Sequence, residues 1–169
     1  MSFAQRESSL SASGETIQVG LRQAMAESIE KAAASLDISG SRALRVLLHA
    51  GISTLWPILK ASPDRQIRAY ESTLAALRRR WENQAVCVPD PEATARIREL
   101  DADVTEFLDL CAKHSGTQWL EPCDAIAAYL LAVIQGMLLR WLADCDDETA
   151  LVVLDDLVSY LSTKAVELA

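Results

Sequence analysis

Residues 121–168 carry more apolar surface than one molecule of this size can hide, and that constrains the fold more than anything else in the chain. Ala125 to Ala143 reads AIAAYLLAVIQGMLLRWLA, apolar on nearly every side of a helix. After the acidic turn Asp144 to Glu148, Leu151, Leu154, Val158, Leu161 and Ala165 recur at three- and four-residue spacings. Val152, Val153, Leu157 and Val166 fall on other faces of that last helix. A helix apolar on more than one side is not satisfied by a single neighbour. Two such helices from each of two chains make a four-helix bundle about a two-fold axis. The pattern therefore predicts a dimerisation hairpin over 121–168, with Tyr129, Ala132, Gly136, Arg140, Leu151, Leu154, Val158 and Leu161 at the interface. The small residues Ala132 and Gly136 would let backbones approach closely. The first of these helices is just long enough to cross a bilayer. It contains Gln135 and Arg140 and has acids at both ends, so a core or interface helix is expected and no membrane span.

The rest of the chain also reads as helix. Half of its 169 residues are hydrophobic, aromatics are few and there are only 6 glycines, a mix that favours helix over strand. An all-α fold of about six helices is expected: a polar tail at 1–14, expected to be disordered, and a single helical domain over 15–169. The first helix covers 15–36, with Ile17, Leu21, Met25, Ile29 and Ala33 on one face. Asp37-Ile38-Ser39-Gly40 breaks it. Ser41 can cap a second helix carrying Leu44, Leu47, Leu48 and Ile52, which Trp56-Pro57 kinks or ends. Ser62-Pro63-Asp64 starts a third helix running to about Gln84, with Ile67, Tyr70, Leu74, Leu77 and Trp81 on its buried face. After a loop at 85–91, Asp90-Pro91-Glu92 starts a fourth, running to about His114. Its inward side is Ile97, Leu100, Val104, Phe107 and Cys111, and its exposed side is Glu99, Asp101, Asp103, Glu106 and Asp109. Ser115-Gly116 ends it. Glu121-Pro122 opens the apolar helix, which ends near Ala143, and Asp146 or Asp147 caps the last one. No strand pattern or internal repeat is visible.

Charge and side-chain chemistry exclude several function classes. The net charge is −8, which repels phosphate backbones. Residues 85–169 hold 16 acids and 5 bases, so Arg78-Arg79-Arg80 is the one basic cluster, and it reads as a solvated helix C-terminus. The cysteines Cys87, Cys111, Cys123 and Cys145 form no CxxC pair and have no histidine at ligand spacing. No zinc site, other metal or cofactor is expected. Glu99, Asp103 and Glu106 share a helical face, but no Glu-x-x-His accompanies them. The only histidines are His49 and His114, and no phosphate loop or nucleophile elbow occurs. An enzyme is not expected. Without a signal peptide, the chain reads as cytoplasmic with reduced thiols.

The segment AAYLLAVIQGMLLRWLADCDDETALVVLDDLVSYL resembles the last two helices of TetR-type transcriptional regulators. The marks are Gly136, Leu139 to Leu142, the acidic turn Asp144 to Glu148, and Leu151 to Leu161. The segment from Leu48 to Trp81 looks like the middle of the same domain, through Leu59, Pro63, Gln66, Tyr70, Glu71, Leu74, Ala76 and Leu77. The resemblance implies a regulatory domain that binds a small apolar molecule among its central helices and dimerises through the final two. A pocket in that layout would lie between the second, third and fourth helices, lined by His49, Ser53, Trp56, Tyr70, Leu74, Trp81, Phe107 and Cys111. Such regulators begin with a three-helix DNA-binding unit. Residues 1–14 are too short and polar for it, and residues 15–36 make one long helix. No direct nucleic-acid binding by this chain is expected. Its partner would be itself, as a homodimer, or a related TetR-type regulator. Two alternatives stay open: a portion of a complete repressor, and a structural helical dimer with no ligand.

Overall fold

The computed structural model describes residues 21–83 and 89–168. The tail at 1–14, the start of the first helix and most of the 85–91 loop lie outside them. The fold is all-α, and the described residues form six helices: α1 (21–35), α2 (Gly40–Lys60), α3 (Pro63–Asn83), α4 (Pro91–Ser115), α5 (Cys123–Asp144) and α6 (Asp147–Ser162).

Local chemistry sets most boundaries. Asp90 accepts a hydrogen bond from the Ala93 amide at 2.8 Å, with Pro91 in the first turn of α4. That satisfies one of the free N–H groups every helix start leaves. Gly116, at φ +69°, closes the other end of α4 in the left-handed conformation that glycine adopts without strain. Asp146 caps α6, accepting from the Thr149 amide at 3.0 Å and its hydroxyl at 2.6 Å. The N-cap of α2 is Ser39 and not Ser41, and its side chain makes no capping bond. The tight start is made by Gly40, at φ +73°, where an added Cβ would run into Glu167. Pro57 does not end α2, which continues to Lys60. Pro57 sits in the last turn, so the only helical bond its missing N–H gives up is the one to the Ser53 carbonyl, and its own carbonyl accepts from the Ala61 amide at 3.0 Å.

A pair of strands departs from the all-helical expectation. β1 (Thr117–Trp119) and β2 (Ala165–Glu167) run antiparallel, with Gln118 opposite Val166. Ala165 and Val166 therefore belong to β2, and α6 stops at Ser162. Leu120 N–H donates to Lys164 C=O at 2.8 Å and Leu168 N–H to Gly116 C=O at 2.9 Å. These long-range bonds hold the end of the chain against the α4–α5 link. Three-residue strands are too short for alternation to register in a sequence.

The core is built by Ile29 of α1, Leu44, Leu47 and Leu48 of α2, Leu108 and Cys111 of α4, Leu130 and Ile134 of α5, and Leu157, Val158 and Leu161 of α6. α4 lies along α5 and α2, α2 along α6, and α5 along α6. α5 is long and apolar enough to cross a membrane by length and composition. Here it packs between α4 and α6.

α3 is the exception. None of residues 63–82 is fully buried. Ile67, Leu74 and Trp81, expected on its buried face, are exposed, as is Ile97 on α4. The cause is the direct contact between α2 and α4. Phe107 lies against Gly51, where an added Cβ would collide with the ring. The space a third helix would need is already filled. α3 is fastened from outside, with Tyr70 Oη donating to the Gln135 carbonyl of α5 at 2.7 Å.

Candidate functional site

The eight residues expected to line a central pocket do not converge. His49 and Ser53 sit on the exposed flank of α2 and share a hydrogen bond of 3.2 Å with each other. Leu74 and Trp81 face solvent, and Tyr70 is committed to α5. Phe107 and Cys111 are core residues, the Cys111 thiol pushed up to about 12 by burial. Trp56 is buried edge-on against Trp141, with ring centroids 5.6 Å apart. It lines a small gap with Ile52, Leu59 and Ile134 that admits no water. The expected pocket between α2, α3 and α4 is therefore corrected. Close helix contact at Gly51 replaces it.

The terminal hairpin divides differently from expectation. Leu154, Val158 and Leu161 are buried within the chain itself. They are the stripe that α2 and α5 require to complete the core, so they are withdrawn from the interface. Tyr129, Ala132, Gly136, Arg140 and Leu151 stand exposed, as expected for a partner face. The structure adds Ala125, Leu139 and Ala143 to them. Ala125, Tyr129, Ala132, Gly136, Leu139 and Ala143 alternate four- and three-residue steps, and all six are exposed. That is the spacing of a seam between two helices. The signal was present in the sequence, but α5 is apolar all round, so no face stood out. On α6, Leu151 and Val152 are 57% and 56% exposed.

This outer face also holds an open cleft of about 230 Å³ between α5 and α6. Val133, Gly136, Met137 and Arg140 form its α5 wall, and Ala150 and Val153 lie on the α6 side. The polar groups at the rim are paired within the chain. Arg140 Nε donates to Asp144 at 3.2 Å, and Asp146 is occupied by Thr149. The cleft thus offers an apolar interior, with its rim acids hydrogen-bonded within the chain.

Beneath the turn, Lys60 ties α2 to the hairpin. Its ammonium donates to Asp147 at 2.6 Å and lies 5.8 Å and 5.4 Å from the Trp56 and Trp141 ring centroids. Trp141 Nε1 donates to the same carboxylate at 2.7 Å. The Lys60 and Trp141 hydrogen bonds hold the Asp147 carboxyl below the usual carboxylate range, and those from Thr149 do the same for Asp146. Cys123, at the other end of α5, is pushed up to about 12 by burial and then by the neighbouring Asp109. Among the described residues no cluster of His, Cys, Asp and Glu is arranged to hold a metal ion.

Compared with known proteins, the chain matches no family model, no curated protein and no solved structure.

Proposed function

We propose that this chain is a self-associating, non-enzymatic regulatory domain of the TetR type, which works in the cytoplasm through the partner bound at its α5–α6 face. One observation carries this. The core closes without the outer side of α5, yet that side keeps an uncharged seam from Ala125 to Ala143, broken by no acid. Gly136 sharpens the point. A glycine in mid-helix costs about 1 kcal/mol relative to alanine, and an added Cβ at Gly136 would meet nothing within 4 Å. Among the described residues nothing calls for a glycine there. A second helix approaching closely from outside does.

Sedimentation velocity from low to high micromolar protein tests this. A concentration-dependent dimer is the expected result. A monomer across the whole range removes the proposal.

A second possibility, a structural helical dimer with no ligand, is favoured by the direct packing of Phe107 on Gly51, because it occupies the place of the expected ligand pocket. Thermal-shift titration with small apolar molecules separates the two. Saturable stabilisation supports ligand sensing, and none across the panel supports the structural dimer.

A further inference from the structure

We infer that α3 is a membrane-surface helix, which lies on an anionic lipid bilayer with Ile67, Leu74 and Trp81 at the acyl boundary and its arginines among the headgroup phosphates. This surface is separate from the α5–α6 face and needs no self-association.

The core leaves α3 outside. None of residues 63–82 is fully buried. Two bonds fasten it at the side, from Tyr70 Oη to the Gln135 carbonyl at 2.7 Å and from Arg96 Nη1 to Ser72 Oγ at 3.5 Å. Ile67, Leu74 and Trp81 are 43%, 63% and 56% exposed. They recur every seven residues, two helical turns, and so form one line along the helix. At 1.5 Å per residue the line is about 21 Å long.

Charge selects the partner. α3 carries Arg65, Arg68, Arg78, Arg79 and Arg80 against Asp64, Glu71 and Glu82, whereas α4, α5 and α6 are each net acidic. The basic cluster runs directly into Trp81, and the Arg80 guanidinium lies 5.0 Å from the Trp81 ring centroid. That pair suits the headgroup layer, where a tryptophan ring meets acyl chains and a guanidinium meets phosphate. Arginines on one side of a helix and Ile, Leu and Trp on another are the composition of helices that lie in a membrane interface. The net charge of −8 does not oppose this, because charges more than about 8 Å from the bilayer are largely screened at physiological salt. The helix in contact carries the most weight.

A second helix, from another protein or another copy, fits this row poorly. It would need a full seam of apolar residues at alternating three- and four-residue steps. Tyr70 and Leu77 would complete that seam, but both are partly buried against the chain's own body. The exposed row is half a seam. A fluid bilayer surface imposes no register and accepts it.

Co-sedimentation of the full chain tests this, with vesicles of phosphatidylcholine alone and of phosphatidylcholine with about 30% phosphatidylglycerol. Binding to the anionic vesicles should exceed binding to the neutral ones at least roughly tenfold, and it should weaken as salt rises. Arg68→Gln combined with Arg78→Gln should weaken it roughly 25-fold, at about fivefold for each arginine near the surface. Leu74→Glu and Trp81→Glu, both at exposed positions, should keep the helical circular dichroism and abolish binding. Leu151→Gln, on the outer side of α6, should leave it unchanged. Equal binding to the two vesicles overturns the inference. So does binding that survives Leu74→Glu and Trp81→Glu, or that is lost in Leu151→Gln. No binding to either vesicle overturns it too, and leaves the row to a protein. Self-association, read by sedimentation velocity, is decided independently of these results.

Discussion

Val152 and Val158, on different sides of α6, separate the chain's own core from its outer face. Val158 is 1% exposed and Val152 is 56% exposed. Val158→Ala removes two buried carbons, worth about 1.6 kcal/mol by transfer at ~0.8 kcal/mol each. A residual cavity raises that to about 2–3 kcal/mol. Against a typical total of ~5–15 kcal/mol the loss is large, and for a chain of this size it lowers Tm by roughly 5–10 °C. Val152→Ala removes the same two carbons from a solvated surface, within about ±0.5 kcal/mol for a single chain. It acts only where dimers form, because binding stabilises the folded state by mass action. Urea denaturation at two protein concentrations distinguishes them. Val158→Ala should shift the midpoint equally at both, and Val152→Ala only at the higher. Equal shifts for the two variants in dilute protein, or a Val158→Ala variant with an unchanged midpoint, would refute this division of α6 into inner and outer stripes.

Asp90→Ala removes the α4 cap bond to Ala93 and should cost about 1 kcal/mol, read by urea denaturation. The folded-state depression of Asp146 and Asp147 fixes a sign for the acid limb. Their contribution is present in full above the ordinary carboxylate pKa and is lost as pH falls through the lower folded values. Stability measured from pH 7 down to 3 should therefore fall less steeply in Asp146→Asn and Asp147→Asn, from a lower starting point. In the native protein a thiol reagent should modify exposed Cys145 well before Cys111 and Cys123, whose thiols are pushed up to about 12. Mass spectrometry over a time course reads the order. α5 and α6 together carry six acids and one base, Arg140. Dimerisation should therefore tighten as salt rises from about 20 to 300 mM, because like-charge repulsion is screened. Weaker association in salt would mean that attraction between charges holds the copies together.

Much of the fold was legible because it is written in local chemistry. Asp90-Pro91 and Asp146 place helix starts by side-chain hydrogen bonds that need no tertiary context, and Gly116 ends α4 through its own backbone freedom. What was not legible is decided by which helix reaches a shared face first. The row Ile67, Leu74, Trp81 has core spacing, yet it is left outside because α2 and α4 close on each other at Gly51. A small residue in α2 thus determines the burial of residues in α3, and no window along α3 contains that information. The same competition reassigned Leu154, Val158 and Leu161 from a partner to α2 and α5. The β pair escaped notice because its bonds run between residues nearly fifty positions apart.

That competition also determines which helix carries the outer face. α6 has spent its best stripe on the core, and what it shows outside is Leu151 and Val152 interrupted by Glu148, Asp155 and Asp156. Two copies of α6 set face to face would bring those carboxylates together, at a cost that their apolar neighbours do not offset. α5 was apolar on all sides at the start, so after meeting α4 and α6 it still has an uncharged row to offer. Arg140 stands at the edge of that row, bonded to Asp144. In the proposed dimer, α5 therefore takes the centre of the contact, with α6 and its acids at the rim, where charge is tolerated and salt can act on it.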